Sequence, residues 1–411
     1  MAISHDADHQ RPQTNGVGST NGVHGHSTQE PKTPNAWSVP GPAEFDFRSD
    51  VVTTPTANML AAIAETTLLD DVFLEDPTTT SLESRLAELT GHEAGLLVLS
   101  GTMGNQLSIR THLNQPPHSL LADNRSHIMG WEAGGIASLS SAFAIPVCPE
   151  NGHHLTLSDV RAHTITSKDI HACPTRLICL ENTLAGTILP LSVCQEIRQW
   201  AQEQDPPIAL HLDGARLWEA VVAGAGSLKD YASCFDSISL CFSKGLGAPI
   251  GSLIVGNKKW IGKARHIRKA IGGGMRQTGV ITAAARVGVE ETFLGGKLKE
   301  SHMRAKLIAS MWEAKGGKLQ QPCETNMVWL DLESAGYDKM KFVEAAVKEG
   351  VRIMGGRLVV HYQISEEAIQ RLGKIMDRIL CGEKGLNDSR GTKVARVIEE
   401  QAERVVAPIL E

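Results

Sequence analysis

The chain has no apolar stretch approaching the roughly 18 residues that a membrane-spanning helix needs. It has no basic excess either. Its net charge is −6 and its lysines and arginines are dispersed, which excludes a nucleic-acid surface. None of its eight cysteines stands in a C-x-x-C spacing. Cys148, Cys173, Cys179, Cys194, Cys234 and Cys241 fall in or beside apolar runs and read as buried, reduced thiols. A zinc site or a disulfide framework is not expected. The first residues carry neither a secretory apolar core nor an Arg-rich amphipathic presequence, so the expectation is a cytoplasmic protein. Phosphate-loop, nucleophile-elbow and dinucleotide glycine motifs are missing. No internal repeat is evident.

What is present is an alternation. Residues 1–44 are rich in Gly, Asn, Ser, Thr, His and Pro and read as a disordered tail. From about 50 to 380, helical patterns such as Ala57–Glu65, Thr80–Thr90, Met103–His112 and Ser192–Gln204 alternate with short apolar runs. Those runs are Leu96–Leu99, Ser119–Ala122, Ala144–Pro146, Thr175–Leu180, Ala209–Leu212, Ser237–Cys241 and Ser252–Val255. The pattern predicts an α/β fold with a mostly parallel sheet flanked by helices over 45–295. Asn326–Leu332, Asp338–Glu349 and Arg357–Gln363 predict a smaller α+β domain over 296–382. Apolar residues at helical spacing in Lys393–Val406 predict a helix in a C-terminal extension, 383–411.

Ligands in open α/β sheets bind at the carboxyl ends of strands. Two residues stand out there. Asp213 ends the run I-A-L-H-L-D, and Lys244 follows the run S-I-S-L-C-F-S-K at the start of a glycine-rich turn. An acid and a lysine so placed suggest pyridoxal 5'-phosphate (PLP), held by the lysine as a Schiff base and by the acid at its pyridine nitrogen. Ser100, Gly101 and Thr102 follow another strand and open a helix, where backbone N–H groups and hydroxyls make a phosphate site. An ordinary helix cap would use the same residues. His127 precedes small residues that let a ring approach closely. Arg216, three residues after Asp213, can reach a carboxylate or the cofactor. The run G-G-G-M-R-Q-T-G reads as a loop presenting Arg276 to an anion.

D-F-R-S-D-V-V-T-T-P-T (46–56), S-G-T-M-G-N-Q (100–106), C-L-E-N-T (179–183), H-L-D-G-A-R (211–216), S-K-G-L-G-A-P-I-G-S (243–252) and G-G-G-M-R-Q-T-G (272–279) occur in this order. Together they resemble the low-specificity L-threonine aldolases. The resemblance runs from about Phe45 to Leu380. It implies a PLP-dependent enzyme of the aspartate-aminotransferase fold type, a homo-oligomer (dimer or tetramer) with active sites at subunit interfaces. The small-molecule amino-acid substrate would be L-threonine or L-allo-threonine, cleaved to glycine and acetaldehyde. On that resemblance Lys244 is the cofactor lysine, Asp213 the pyridine partner and His127 the stacking residue. Ser100, Gly101 and Thr102 hold the phosphate, with Arg276 helping across an interface. Ser49, Arg216 and Arg357 grip the substrate carboxylate, and His171 lies near the substrate hydroxyl. His171 or His127 is the expected base, and no metal is expected. One stretch departs from the pattern. After E-N-T, where the family often has His or Asn, this chain has Leu184 and Ala185. Trp131 stands where smaller or polar residues occur. Fungal alanine racemases of peptide-toxin pathways resemble the same family, so racemisation is the alternative.

Overall fold

Seven short strands, mostly buried except at the edge strand β3, organise the chain. They are β1 (Ala94–Val98), β2 (Ser119–Asp123), β3 (Phe143–Val147), β4 (Thr175–Glu181), β5 (Ala209–Asp213), β6 (Ser237–Cys241) and β7 (Ser252–Gly256). The computed structural model describes residues 35–381. The sheet order is β1-β7-β6-β5-β4-β2-β3. The pairs from β6 to β3 are parallel, while β7 runs antiparallel to both β1 and β6. A mostly parallel sheet is what the fully apolar runs dictate, since such strands must be covered on both faces. β7 is the exception, because the glycine-rich turn after Lys244 sends the chain straight back beside β6.

Helices cover this sheet. Leu82 and Leu86 of the helix Pro77–Thr90 and Cys194 and Ile197 of Leu191–Gln202 join the strand residues Leu97, Leu121, Ile178, Leu212 and Leu240 in one core. The helix Gly101–His112 lies close over β6, where a Cβ on Gly104 would stand 2.5 Å from Ser239 Oγ. A second core holds Trp312, Val328, Phe342, Leu358 and Leu372, from the helices Lys297–Ala314, Lys339–Lys348 and Glu366–Cys381 and the antiparallel pair β8 (Met327–Trp329) and β9 (Arg357–Val359). Phe47 is buried in that second core. The N-terminal segment is therefore tied to it, through Phe47 N–H to Arg352 O and Val359 N–H to Phe47 O at 2.8 Å each.

The described residues depart from the sequence reading in several places. A 3-10 helix, Gly41–Phe45, lies upstream of the expected start at Phe45. Cys148 is exposed and Cys173 half-exposed, whereas Cys179, Cys194, Cys234 and Cys241 are buried, and none is in a disulfide. Cys148 follows the edge strand β3, which is open on one side, so a neighbouring apolar run does not bury it. Residues 1–34 of the tail and the helix expected over Lys393–Val406 lie outside the described residues. No described helix is long and apolar enough to cross a membrane.

Candidate active site

The carboxyl ends of β2, β4, β5 and β6 converge on one cleft. Asp213 ends β5 and lies in register with Glu181, the last residue of β4. One Asp213 oxygen accepts from Asn105 Nδ2 at 2.8 Å and the other from Ala215 N–H at 3.0 Å. Lys244 stands three residues past β6. Its carbonyl accepts from Thr53 Oγ1 at 2.9 Å, and Gly247 N–H closes the turn onto the same oxygen. Gly247 has φ +80°, and a Cβ there would collide with the Tyr362 hydroxyl, so only glycine fits this turn. Among the described residues, Lys244 Nζ makes no hydrogen bond or ion pair.

His127 enters from the loop after β2. Its N–H donates to Glu181 Oε2 and its Nδ1 lies against Glu132 Oε1, each at 2.8 Å. Glu132 is buried and also accepts from Asn105 Nδ2 at 2.8 Å and Gln106 Nε2 at 2.6 Å. One ligand atom from each of His127, Glu132 and Asp213 lies within 4.8 Å of the others. The hydrogen bond to Glu132 raises His127 above its ordinary value. Burial, and then the neighbouring Asp213, pushes the Glu181 carboxyl up to about 8.

Ser100 caps the helix Gly101–His112, accepting from Met103 N–H at 3.1 Å. The first backbone N–H groups of that helix therefore open beside the end of β6. A Cβ on Gly101 would stand 2.7 Å from Cys241 Sγ, so a larger residue would push the cradle away from the strand that leads to Lys244. Ser49 caps the short turn Asp50–Val52. Asp50 is fully buried and takes Arg216 Nε at 2.7 Å and Arg216 Nη2 at 2.6 Å, with Asn326 Nδ2 at 3.3 Å. Burial disfavours the charged carboxyl, but the Arg216 guanidinium outweighs it and holds Asp50 well below the usual carboxylate range. Arg216 keeps Nη1 for another partner. Arg357 donates to Arg48 O at 2.9 Å, and burial together with the nearby Arg216 charge lowers it. Arg216 is thus paired with Asp50, while the nearby Arg357 makes no ion pair among the described residues, and a bound anion would complete the group.

Two expected residues stay away within one chain. His171 precedes β4, at the opposite end of the strand from Glu181. Seven residues at about 3.3 Å each put roughly 20 Å between those ends. Its side chain is 87% exposed and bonded to Asp169 at 2.8 Å. The Arg276 side chain is 74% exposed and paired with Asp70 at 3.2 Å. The sequence reading passed over Asp50, Asn105, Glu132 and Glu181. The rule that selected Asp213, an acid at a strand end, applies equally to Glu181. Asn105 and Glu132 carry no such signal, because only the tertiary fold brings the helix after β1 against the loop after β2. The Leu184–Thr187 turn is fastened from the second core side, where Trp329 Nε1 and Gln321 Nε2 both donate to Ala185 O at 2.9 Å.

The beta-eliminating lyase family matches residues 46–335. An aldolase from Penicillium aethiopicum, vrtJ, is 61% identical over 85% of this chain and 89% of its own. The low specificity L-threonine aldolase of Saccharomyces cerevisiae is 45% identical over 80% and 85%. This chain belongs to the low-specificity L-threonine aldolase family of beta-eliminating lyases. The alanine racemase TOXG of Cochliobolus carbonum is also 45% identical, over 84% of this chain and 90% of its own. A solved threonine aldolase of Leishmania major has the same fold, with a TM-score of 0.69 at 21% identity over 82% of this chain and 99% of that one. The family is of PLP fold type I, with a large mixed α/β domain and a smaller C-terminal one. The residues present fit that cofactor. The cleft offers an amine without a partner, a buried carboxylate on the neighbouring strand, and a capped helix start that a Cβ would displace.

Proposed function

We propose that the enzyme cleaves L-threonine, L-allo-threonine or a related β-hydroxy-α-amino acid to glycine and an aldehyde. The observation that carries this reading is an unpartnered Lys244 beyond one strand end and the Asp213 carboxylate at the neighbouring one, beside the guanidinium groups of Arg216 and Arg357, of which Arg216 alone is paired with a carboxylate among the described residues. Lys244 would hold PLP covalently, Asp213 its pyridine nitrogen, and Ser100, Gly101 and Thr102 its phosphate. Bound there, PLP supplies an electron sink conjugated with the substrate Cα. Arg357, Nη1 of Arg216 and Ser49 bind the substrate carboxylate. The planar guanidinium fork suits a carboxylate better than an ammonium would. Their grip decides which Cα bond is oriented for cleavage. His127 faces the cleft and takes the β-hydroxyl proton. His171 and Arg276 would serve a site only in a second copy of the chain, because each is exposed and off the cleft of its own.

Racemisation is the second reading. It is favoured by the relative named an alanine racemase and by the apolar Leu184–Ala185 in the turn after Glu181. A substrate panel separates the two. Purified enzyme is incubated with L-threonine, L-allo-threonine and L-alanine, and aldehyde and D-alanine are measured. Aldehyde from either threonine is the expected result. D-alanine formed without aldehyde from any β-hydroxy substrate would replace the first reading with the second.

A further inference from the structure

His127 has two ring nitrogens with different surroundings. Nδ1 is turned inward to Glu132 Oε1, while the ring is 41% exposed toward the cleft. Both Glu132 oxygens already accept from side-chain amides, Oε1 from Asn105 and Oε2 from Gln106. A carboxyl group facing donors on both oxygens has no place for a proton of its own, so Nδ1 must be the donor of the pair. Asn105 donates through the same nitrogen to Glu132 and to Asp213, and it meets His211 through its oxygen at 3.2 Å. The imidazole is therefore fastened to the same buried network that fastens Asp213.

We propose that Glu132 is a positioning residue, which fixes His127 as the Nδ1–H tautomer and makes its Nε2 the base for the substrate β-hydroxyl. This rests on the aldolase reading above. The O–H bond breaks and its proton passes to Nε2. The O–H electron pair becomes the second bond of the aldehyde carbonyl, and the Cα–Cβ pair stays on Cα. The proton held on Nε2 returns to Cα, directly or through solvent, and glycine is complete. Glu132 touches neither substrate nor cofactor. It acts by orientation and charge, as a carboxylate behind a catalytic imidazole does generally. The other charges facing His127 are Asp213, which strengthens the effect, Lys244, which opposes it, and Glu181 at its backbone N–H.

The test is the variant Glu132→Gln. The new amide keeps an oxygen for Nδ1–H, and its NH2 can be accepted by Gln106 Oε1, a buried atom that now has no partner. The fold should therefore survive. His127 is followed by NMR in apoprotein labelled at histidine Cε1 and nitrogen. Wild type should show the Nδ1–H tautomer when neutral. Its titration midpoint should lie about one unit above that of Glu132→Gln, the lower end of what an adjacent charge produces. In the loaded enzyme, the acid limb of kcat/KM for the threonine substrate should move about one unit lower in the variant, with a plateau reduced roughly 10- to 100-fold. A wild-type Nε2–H tautomer overturns the proposal without any variant. So does an unmoved His127 titration, or a plateau that falls while the limb stays in place. If wild type releases no aldehyde, the aldolase reading has failed, and the apoprotein spectra still decide the role of Glu132.

Discussion

Asp50→Asn removes the carboxylate that pairs with Arg216. Asp50 is fully buried and the Arg216 side chain is only 14% exposed, so the guanidinium that remains is a buried charge without its hydrogen-bonded counter-ion. Breaking such a pair from one side costs about 3–5 kcal/mol. The asparagine oxygen can still accept one Arg216 hydrogen bond, which places the expected loss near about 3 kcal/mol. The pH dependence follows from the depressed folded value of Asp50. A group lowered on folding contributes stability that is fully present above its unfolded value, about 3.9, and is lost as pH falls toward the folded one. The gap between wild type and variant should thus be constant from about pH 7 to 5 and about 1 kcal/mol smaller at pH 3. Urea unfolding of both apoproteins across that range measures it. Equal midpoints at pH 7, or a gap that widens as the pH falls, would refute the electrostatic reading of this pair.

Lys244→Ala should lower turnover at least about a thousandfold, as removing other covalent catalytic groups does, and should abolish an absorption band in the ~400–430 nm region that a lysine-bound PLP gives. An active, coloured variant would be the contrary outcome. Arg357→Leu should raise KM roughly 10- to 100-fold, matching the loss of about 1.5–3 kcal/mol of charged hydrogen bonding, while Arg357→Lys recovers only part of it. Steady-state kinetics with the threonine substrate decides this, and an unchanged KM for Arg357→Leu would remove Arg357 from the carboxylate site. Gly101→Ala places a methyl against Cys241 Sγ and should cost about 1–3 kcal/mol of overpacking together with weaker PLP retention on dialysis. Cys241→Ala in the same chain should recover most of both, and additive effects of the two changes would show that the contact is unimportant.

Much of the fold is legible because the sheet is buried on both faces. Each strand is then a short apolar run between breakers, and Ser237–Cys241 is found at the expected ends. The ends that differ do so by a residue or two, as at β4, which extends to Glu181. The polar last residue of a strand looks like the first residue of a loop, and that is where ligands bind. Among the site residues, Asp213 and Lys244 are legible because the topology puts strand ends together. Glu132 and Asn105 are not, because their partnership depends on how tightly a helix lies over β6. That spacing is set by Gly101 and Gly104, whose lack of a side chain is a packing fact before it is a chemical one.

The charges in the cleft are unevenly spread. On the sheet side Asp213, Glu132 and Glu181 face His127 and Lys244, and the surplus of carboxylate shows in Glu181, pushed up by burial and by Asp213. Near the second core Arg216 is paired with Asp50 and also feels Glu181 and Glu219, while Arg357 makes no ion pair among the described residues and is lowered first by burial and then by the Arg216 charge. An amino acid bound with its carboxylate toward Arg357 and its amino end toward the acids around Lys244 meets the opposite charge at each end. The reversed orientation would put the carboxylate among the acids of the sheet side. This arrangement of charges favours the orientation in which the arginines, rather than the histidine, hold the carboxylate and leave His127 free for the β-hydroxyl.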